Sequence, residues 1–281
     1  MAIDLTLAIL SGKGGTGKTL LSVNLAAVAK QATYIDCDVE EPNGNLFFNP
    51  TKEFEQLVTV KKPVVDDALC DGCHKCVDFC AFNALALIGN RLMIFDDICH
   101  SCGGCIHVCP QNALTEQDRA VGEMSIGRSG GVRSISGSMN IGENSGIPII
   151  EELLKHKSDG LTIIDAPPGS SCLVMESLRM ADFCILVAEP TTFGAHNLAM
   201  VHELVSMLGK PCAVVLNKTL EGKNPSEEFC IEKNVPIIGR IPFDKKLGSL
   251  NSVGKIAARE DKHYHEVFAT ILAKALERAQ K

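Results

Sequence analysis

Six short apolar runs punctuate the chain, at Leu5–Leu10, Thr33–Cys37, Leu161–Asp165, Phe183–Ala188, Ala213–Asn217 and Ile237–Ile241. Continuous apolar runs of this length predict strands buried on both faces, the kind a parallel sheet contains. Most of them alternate with segments of helical pattern at Lys18–Lys30, Ile147–Lys157, Ser171–Met180, Ala195–Leu208, Ser226–Lys233 and about His263–Arg278. Strand and helix in turn predict an α/β fold with a doubly wound, mostly parallel sheet covered on both faces. In the closing helix, Val267, Phe268, Ile271, Leu272, Ala275 and Leu276 recur on one side. That is the spacing of a buried face, and the polar side lacks the basic character of a membrane-surface helix, so this helix is expected to pack on the sheet.

The alternation breaks between the second and third strands, over roughly Val64–Asp118. This stretch carries its own repeat: Cys70, Cys73, Cys76 and Cys80 recur 29 positions later as Cys99, Cys102, Cys105 and Cys109, and Asn83-Ala84-Leu85 recurs as Asn112-Ala113-Leu114. A two-fold module inserted in a larger domain is expected, with residues 64–118 as the insert and 1–63 plus 119–281 as the host. The Gly/Ser-rich run from Ala120 to Gly146 that follows is expected to be a hairpin or loop returning the chain to the sheet.

Charge and composition narrow the function. A net charge of -7 over 281 residues argues against nucleic acid or an anionic membrane as the main partner, since both require clustered Lys and Arg. Nearly all the excess lies in the insert, where eight acids face only Lys75 and Arg91. No leader precedes the first strand and no apolar stretch reaches bilayer length, so the chain reads as cytoplasmic. In a reducing compartment, the clustered members of its 13 cysteines are better read as metal ligands than as disulfides.

Directly after the first strand stands SGKGGTGKT. Gly12, four residues, then Gly17-Lys18-Thr19 fits the P-loop pattern in its strand–loop–helix setting. Glycines let successive backbone N–H groups turn toward phosphate oxygens, the helix N-terminus adds partial positive charge, Lys18 reaches the β and γ phosphates, and Thr19 ligates Mg²⁺. Lys13 is a second lysine within the loop. With it, the run Gly12, Lys13, Gly14, Gly15, Thr16, Gly17, Lys18, Thr19 resembles the deviant Walker A signature of the MinD/ParA class of P-loop ATPases, which includes the nitrogenase iron protein and the Mrp-type iron–sulfur carriers. The resemblance implies an ATP-bridged dimer, of two copies or with a related chain, in which Lys13 contacts the nucleotide of the facing subunit.

It also implies further site residues. The strand TYIDC and the run DVEEPNGN occupy the family's switch I, which makes Asp38 the candidate for orienting the attacking water and places Asp36 near the metal's water shell. The run LTIIDAPPGSS resembles Walker B and switch II, with Asp165 on Mg²⁺ and the Gly169 amide sensing the γ-phosphate. Asn217 in VVLNK and Pro242, Phe243 and Asp244 in RIPFD stand where family members hold the adenine, and the absence of a GTPase-type aspartate after Lys218 favours ATP. Cys172 lies seven residues after Asp165, where the nitrogenase iron protein has an intersubunit cluster cysteine, but that protein's partner cysteine has no counterpart near Ser145.

Both cysteine runs follow C-x₂-C-x₂-C-x₃-C, the spacing of bacterial two-cluster ferredoxins; Pro110 follows the second run as in that motif, and Ala81 replaces it after the first. In the ferredoxin arrangement the fourth cysteine of each run serves the other cluster. The resemblance therefore assigns Cys70, Cys73, Cys76 and Cys109 to one [4Fe–4S] cluster and Cys80, Cys99, Cys102 and Cys105 to the second. Zinc is the rival, although Cys₄ zinc sites usually come as paired C-x₂-C knuckles. His74, His100 and His107 lie among the ligands as surface neighbours.

The expected function is a Mg-ATP-dependent ATPase whose nucleotide state is coupled to two [4Fe–4S] clusters, for electron transfer or for assembly of a partner's metal centre. The acidic insert suits a partner with a basic patch. The alternative is an ATP-controlled scaffold or positioning protein with structural clusters. An amidotransferase-type ligase shares the nucleotide domain, but 281 residues leave no room for a glutaminase domain.

Overall fold

The computed structural model describes residues 4–280, and all six expected strands and all six expected helices form in it. The expectation of no leader ahead of the first strand falls mostly on residues 1–3, outside the described residues. In chain order the elements are β1 (Leu5–Leu10), α1 (Lys18–Val28), β2 (Ala32–Asp36), α2 (Gly44–Phe48), β3 (Thr51–Val65), α3 (Lys75–Phe79), β4 (Leu85–Ile88) and β5 (Arg91–Ile94). They continue with α4 (Gly104–His107), β6 (Leu114–Ser129), β7 (Val132–Met139), α5 (Ile147–Lys155), β8 (Leu161–Asp165), α6 (Cys172–Ser177), β9 (Phe183–Ala188) and α7 (Thr192–Met207). The last elements are β10 (Cys212–Thr219), α8 (Pro225–Glu232), β11 (Ile237–Pro242), α9 (Lys245–Ser252), α10 (Ala257–Glu260) and α11 (Lys262–Ala279).

The main sheet has nine strands in the order β11-β10-β9-β1-β8-β2-β7-β6-β3. Its first seven members are parallel, and β6 and β3 extend it antiparallel at one edge. Because successive side chains point to opposite faces, β1 feeds both layers. Ala8 and Leu10 join the core beneath α5, α6 and α7, whereas Leu5, Leu7 and Ile9 join the core beneath α1 and α11. The closing helix α11 buries Tyr264, Phe268, Ile271, Leu272 and Ala275 in that second core, as its apolar spacing predicts. Among the described residues no helix is long and apolar enough to cross a membrane.

The Gly/Ser-rich run becomes a hairpin: β6 turns at Gly130, φ 62°, into β7, which pairs parallel with β2. Its antiparallel partner β3 was not expected from the sequence. The run TKEFEQLVTVKKPVV interleaves charges with apolar residues and lies at the sheet edge, mostly exposed, so it lacks the continuous apolar signature of the central strands. Strands β3 and β6 pair from Thr51↔Arg128 to Val65↔Leu114 and form a two-stranded arm with the insert at its tip. The expected boundaries at 64 and 118 thus fall inside continuous strands, and residues 66–113 form the tip.

The tip keeps the repeat in three dimensions. Helices α3 and α4 occupy equivalent places, and left-handed backbone recurs at Gly72 and Ser101, His74 and Gly103, and Asn83 and Asn112. The halves also cross-pair: Asp66 N–H donates to Ala113 O at 2.7 Å, and Phe95 N–H donates to Ala84 O at 2.8 Å, each pair 29 residues from its counterpart. The hairpin β4–β5 and the side chains of Cys76, Leu85, Leu92, Cys105 and Leu114 supply a small core.

Candidate functional site

The loop between β1 and α1 borders an open cavity of about 730 Å³. Its walls include Lys13, Gly14, Gly15, Gly17, Lys18 and Thr19 from the loop and helix start, and Asp38 from the segment after β2. Two glycines have specific causes. Gly17 has φ 101°, and a Cβ there would lie 2.1 Å from Asn217 Nδ2; a Cβ on Gly12 would lie 2.4 Å from the Asn197 carbonyl oxygen. Thr16 is buried and its hydroxyl donates to Lys13 O at 3.1 Å, so it shapes the loop from within.

Beneath the cavity floor three carboxylates gather around one ammonium group. Lys18 Nζ donates to Asp165 Oδ1 at 2.9 Å and lies 3.7 Å from Asp38 Oδ2. Tyr34 donates its hydroxyl to Asp165 Oδ2 at 3.0 Å. Asp36 accepts from Gly44 N–H at 2.7 Å and from Asp38 N–H at 3.2 Å, which ties the end of β2 to the start of α2. Strands β2 and β8 pair Asp36 with Asp165 directly, so the two acids share one end of the sheet by register.

The charges do not balance. Burial, and then Asp165, push the Asp36 carboxyl up to about 7. Burial also raises Asp38, with Lys18 pulling the other way. Burial opposes the charge on Lys18, yet Asp165, Asp38 and Asp36 together hold its pKa above the ordinary value. This excess of negative charge, with Asp38 and Thr19 on the cavity wall, suits a divalent cation accompanied by phosphate oxygens and water. Among the described residues no three His, Cys, Asp or Glu side chains converge on one point as ligands of a single ion. A Mg²⁺ held by Thr19 and Asp165, with phosphate and water completing its shell, requires no such convergence.

Several expected ligands have other partners here. Lys13 pairs with Glu189 of its own chain, Nζ to Oε2 at 2.6 Å, and lies over the Phe193 ring. Lys218 pairs with Glu189 Oε1 at 2.6 Å and donates to Gly15 O at 2.8 Å. Burial alone would raise the Glu189 carboxyl, but the two ammonium groups hold it below its usual value. The Gly169 amide, expected to face phosphate, donates to Ser11 O at 2.9 Å and fastens the segment after β8 to the loop. Asn217 Nδ2 donates to Thr16 O at 2.8 Å, bracing the loop from β10.

The expected adenine-side residues lie outside the cavity wall. Asp244 caps α9 by accepting from Lys246 and Leu247 N–H and takes the Tyr264 hydroxyl at 2.6 Å; Pro242 ends β11 and Phe243 is exposed. The far wall comes instead from Glu41, Asn43, Leu46, Phe47 and the segment 251–254. Sequence reasoning missed these, together with Tyr34, Glu189 and Lys218. Glu189 lies in AEPTTFGAHNL, a run with no recognisable chemistry until the fold brings it to Lys13.

At the arm's tip the eight cysteines form two sets, each around its own cavity. Cys70, Cys73, Cys76 and Cys109 border one of about 20 Å³, and Cys80, Cys99, Cys102 and Cys105 border one of about 140 Å³. Each set takes three cysteines from one repeat and the last cysteine of the other. The crossing cysteines are held alike: Cys80 Sγ accepts from Ala84 N–H at 3.4 Å and Cys109 Sγ from Ala113 N–H at 3.3 Å. Burial raises the thiols of Cys76 and Cys105, the latter to about 11. Of the remaining cysteines, Cys37, Cys184 and Cys230 are buried, Cys212 is half-buried, and Cys172 is exposed at the start of α6.

A glycine-rich loop at the carboxyl end of a parallel strand, opening a helix and backed by strand-end carboxylates, defines a P-loop nucleotide-binding protein. The CobQ/CobB/MinD/ParA nucleotide binding domain matches residues 7–256, and the chain belongs to that family. The uncharacterized protein MJ0578 of Methanocaldococcus jannaschii is 32% identical over 253 residues, 87% of this chain and 86% of that protein. MJ0579 of the same organism is 28% identical over 225 residues, covering 78% and 81%. In fold, the chain resembles the cell division ATPase MinD of Pyrococcus furiosus, with TM-score 0.59 and 17% identity over 98% of this chain and 99% of that one. The septum site-determining protein MinD of Pyrococcus horikoshii, complexed with Mg-ADP, gives 0.59 at 18% identity over 96% and 95%.

Proposed function

We propose that the protein is a Mg-ATP-dependent, dimerising ATPase whose nucleotide state is coupled to two [4Fe–4S] clusters carried on the arm. The observation that carries this reading is the sorting of the eight cysteines into two crossed sets at the tip of strands that belong to the nucleotide-binding sheet. Two sets of four, each with three cysteines from one repeat and the last cysteine of the other, are in keeping with two-cluster ferredoxin ligation, whereas Cys₄ zinc sites usually come as paired C-x₂-C knuckles. Once bound, each cluster supplies one-electron redox chemistry.

On this reading the chain's own residues divide the work. Backbone N–H groups of the loop and Lys18 receive the phosphates, Thr19 and Asp165 hold Mg²⁺ with Asp36 behind, and Asp38 orients the attacking water. Binding draws Lys18 from Asp165 toward phosphate. That change reaches the arm by a short route: Asp36 accepts a hydrogen bond from Gly44 N–H at the start of α2, and β3 begins at Thr51, just past the end of that helix. A partner docking at the tip would meet a strongly acidic surface, which suits a basic patch on a redox or metal-centre assembly protein.

The test is anaerobic purification with iron and sulfide analysis, followed by EPR of the reduced protein with and without Mg-ATP. Two clusters per chain whose signals or acceptor kinetics respond to Mg-ATP are the expected outcome. Clusters that ignore nucleotide would return the protein to the scaffold alternative, and protein without iron and sulfide would end the cluster reading.

A further inference from the structure

Lys62 lies near the arm end of β3 with its side chain turned inward, leaving the residue 7% exposed. Its Nζ donates to two main-chain oxygens, Asp96 O at 3.0 Å and Cys99 O at 2.5 Å. Those are its only partners among the described residues, and neither is a carboxylate. Neighbouring Lys61 is exposed and pairs with Asp118 at 2.9 Å. Burying an ammonium group without a counter-charge is costly, because neutral carbonyls replace only part of its solvation. A site like this calls for an anion nearby. A cubane ligated by four thiolates is a net anion and gains one more negative charge on reduction.

The other half of the module is built with the opposite charge. Repeat-equivalent positions carry Asp71 and Gln111 at the first cysteine set but His100 and Phe82 at the second. Gln111 Nε2 donates to Asp71 Oδ2 at 3.0 Å beside the first cavity, whereas His100 stacks on Phe82 with centroids 3.9 Å apart beside the second. One set therefore faces the Asp71 carboxylate; the other faces apolar rings and an ammonium group against the backbone of its first cysteine, with the Glu116 carboxylate beside Gly103 of its lining.

We infer that Lys62 is the built-in counter-charge of the cluster on Cys80, Cys99, Cys102 and Cys105, and that with Asp71 it makes this cluster the easier of the two to reduce. The inference rests on the proposed cluster ligation. Each cluster accepts one electron from an external one-electron donor, with no bond made or broken; the added charge is stabilised beside Lys62 and opposed beside Asp71. Because Lys62 belongs to a strand of the nucleotide-binding sheet, the charge that sets this potential is supplied by the host domain.

The experiment is an EPR-monitored potentiometric titration of the full chain, purified anaerobically and checked for iron and sulfide. Lys62→Met, Lys62→Arg, Lys61→Met and Asp71→Asn are compared with the parent, and Cys102→Ala identifies the second cluster's signal. Lys62→Met is expected to lower the potential of the second cluster alone. At a fixed potential its reduced-to-oxidised ratio should fall about tenfold, ~59 mV for a one-electron couple. Lys62→Arg and Lys61→Met should leave both transitions in place. An unmoved second transition in Lys62→Met with both clusters intact, or an equal shift from Lys61→Met, overturns the inference while the ligation reading stands. Should Lys62→Met not fold, Asp71→Asn decides: it must raise the first transition, and an unchanged one overturns the polarity. Parent protein lacking iron and sulfide refutes the ligation reading itself.

Discussion

Replacing Glu189 by Gln tests whether the loop lysine is released for use across the proposed dimer. In the single chain Lys13 and Lys218 both bind Glu189 at 2.6 Å, with the carboxylate side chain 12% exposed and the lysines 35% and 43% exposed. Charge-assisted bonds of this kind contribute about 1.5–3 kcal/mol when shielded, and exposed ion pairs about 0–1 kcal/mol. With the lysines more than a third exposed, the Lys13 pair is worth about 1 kcal/mol. A lysine that reaches into the facing subunit must first leave Glu189, and two such lysines leave per dimer. Glu189→Gln removes about 2 kcal/mol of that opposing term, which tightens the dimer roughly 30-fold. Sedimentation with Mg²⁺ and a non-hydrolysable ATP analogue measures the dissociation constant, and the urea midpoint confirms that the variant is folded. Lys13→Ala should weaken the dimer, and adding Glu189→Gln to it should give no further gain, since the pair acts as one unit. A folded Glu189→Gln chain that dimerises no better than the parent refutes the reasoning.

Three further outcomes are expected. The folded Asp36 carboxyl holds its proton up to about 7, against 3.8 for the ordinary group. The folded state therefore carries the extra proton between those values, and ligand-free stability should fall as pH rises through that window and stay reduced above it; urea midpoints flat from pH 4 to 8 would contradict this. Phe268→Ala in α11, whose residue is 0% exposed, should cost about 3–5 kcal/mol in chemical denaturation, whereas a surface-anchoring helix would lose membrane binding and little stability. Cys109→Ala should abolish the same cluster signal as Cys73→Ala, and Cys80→Ala the same one as Cys102→Ala; sorting by repeat instead would show that the sets are not crossed.

The central strands and their covering helices were legible because burial on both faces writes continuous apolar runs, and those runs matched β1, β2, β8, β9, β10 and β11. The long arm was not legible. Strand β3 is an edge strand with most residues in water, so its pairing with β6 carries little hydrophobic signal. The same split holds at the site. Loop glycines, Lys18 and the strand-end acids follow local rules of spacing and chain direction, whereas Tyr34 reaches Asp165, Glu189 reaches Lys13 and Lys218 reaches Gly15 across 131 to 203 residues.

By itself the sequence determined the parallel sheet, the phosphate loop and the two-fold cysteine module, because each depends on periodicity or on spacing within a few tens of residues. Tertiary structure alone decided which groups share a charge. It joined Lys18 and Tyr34 to Asp165, tied Lys13 to Glu189 of its own chain, and buried Lys62 against the second cysteine set. Electrostatic partnership depends on distance and exclusion of water, and a linear pattern records neither.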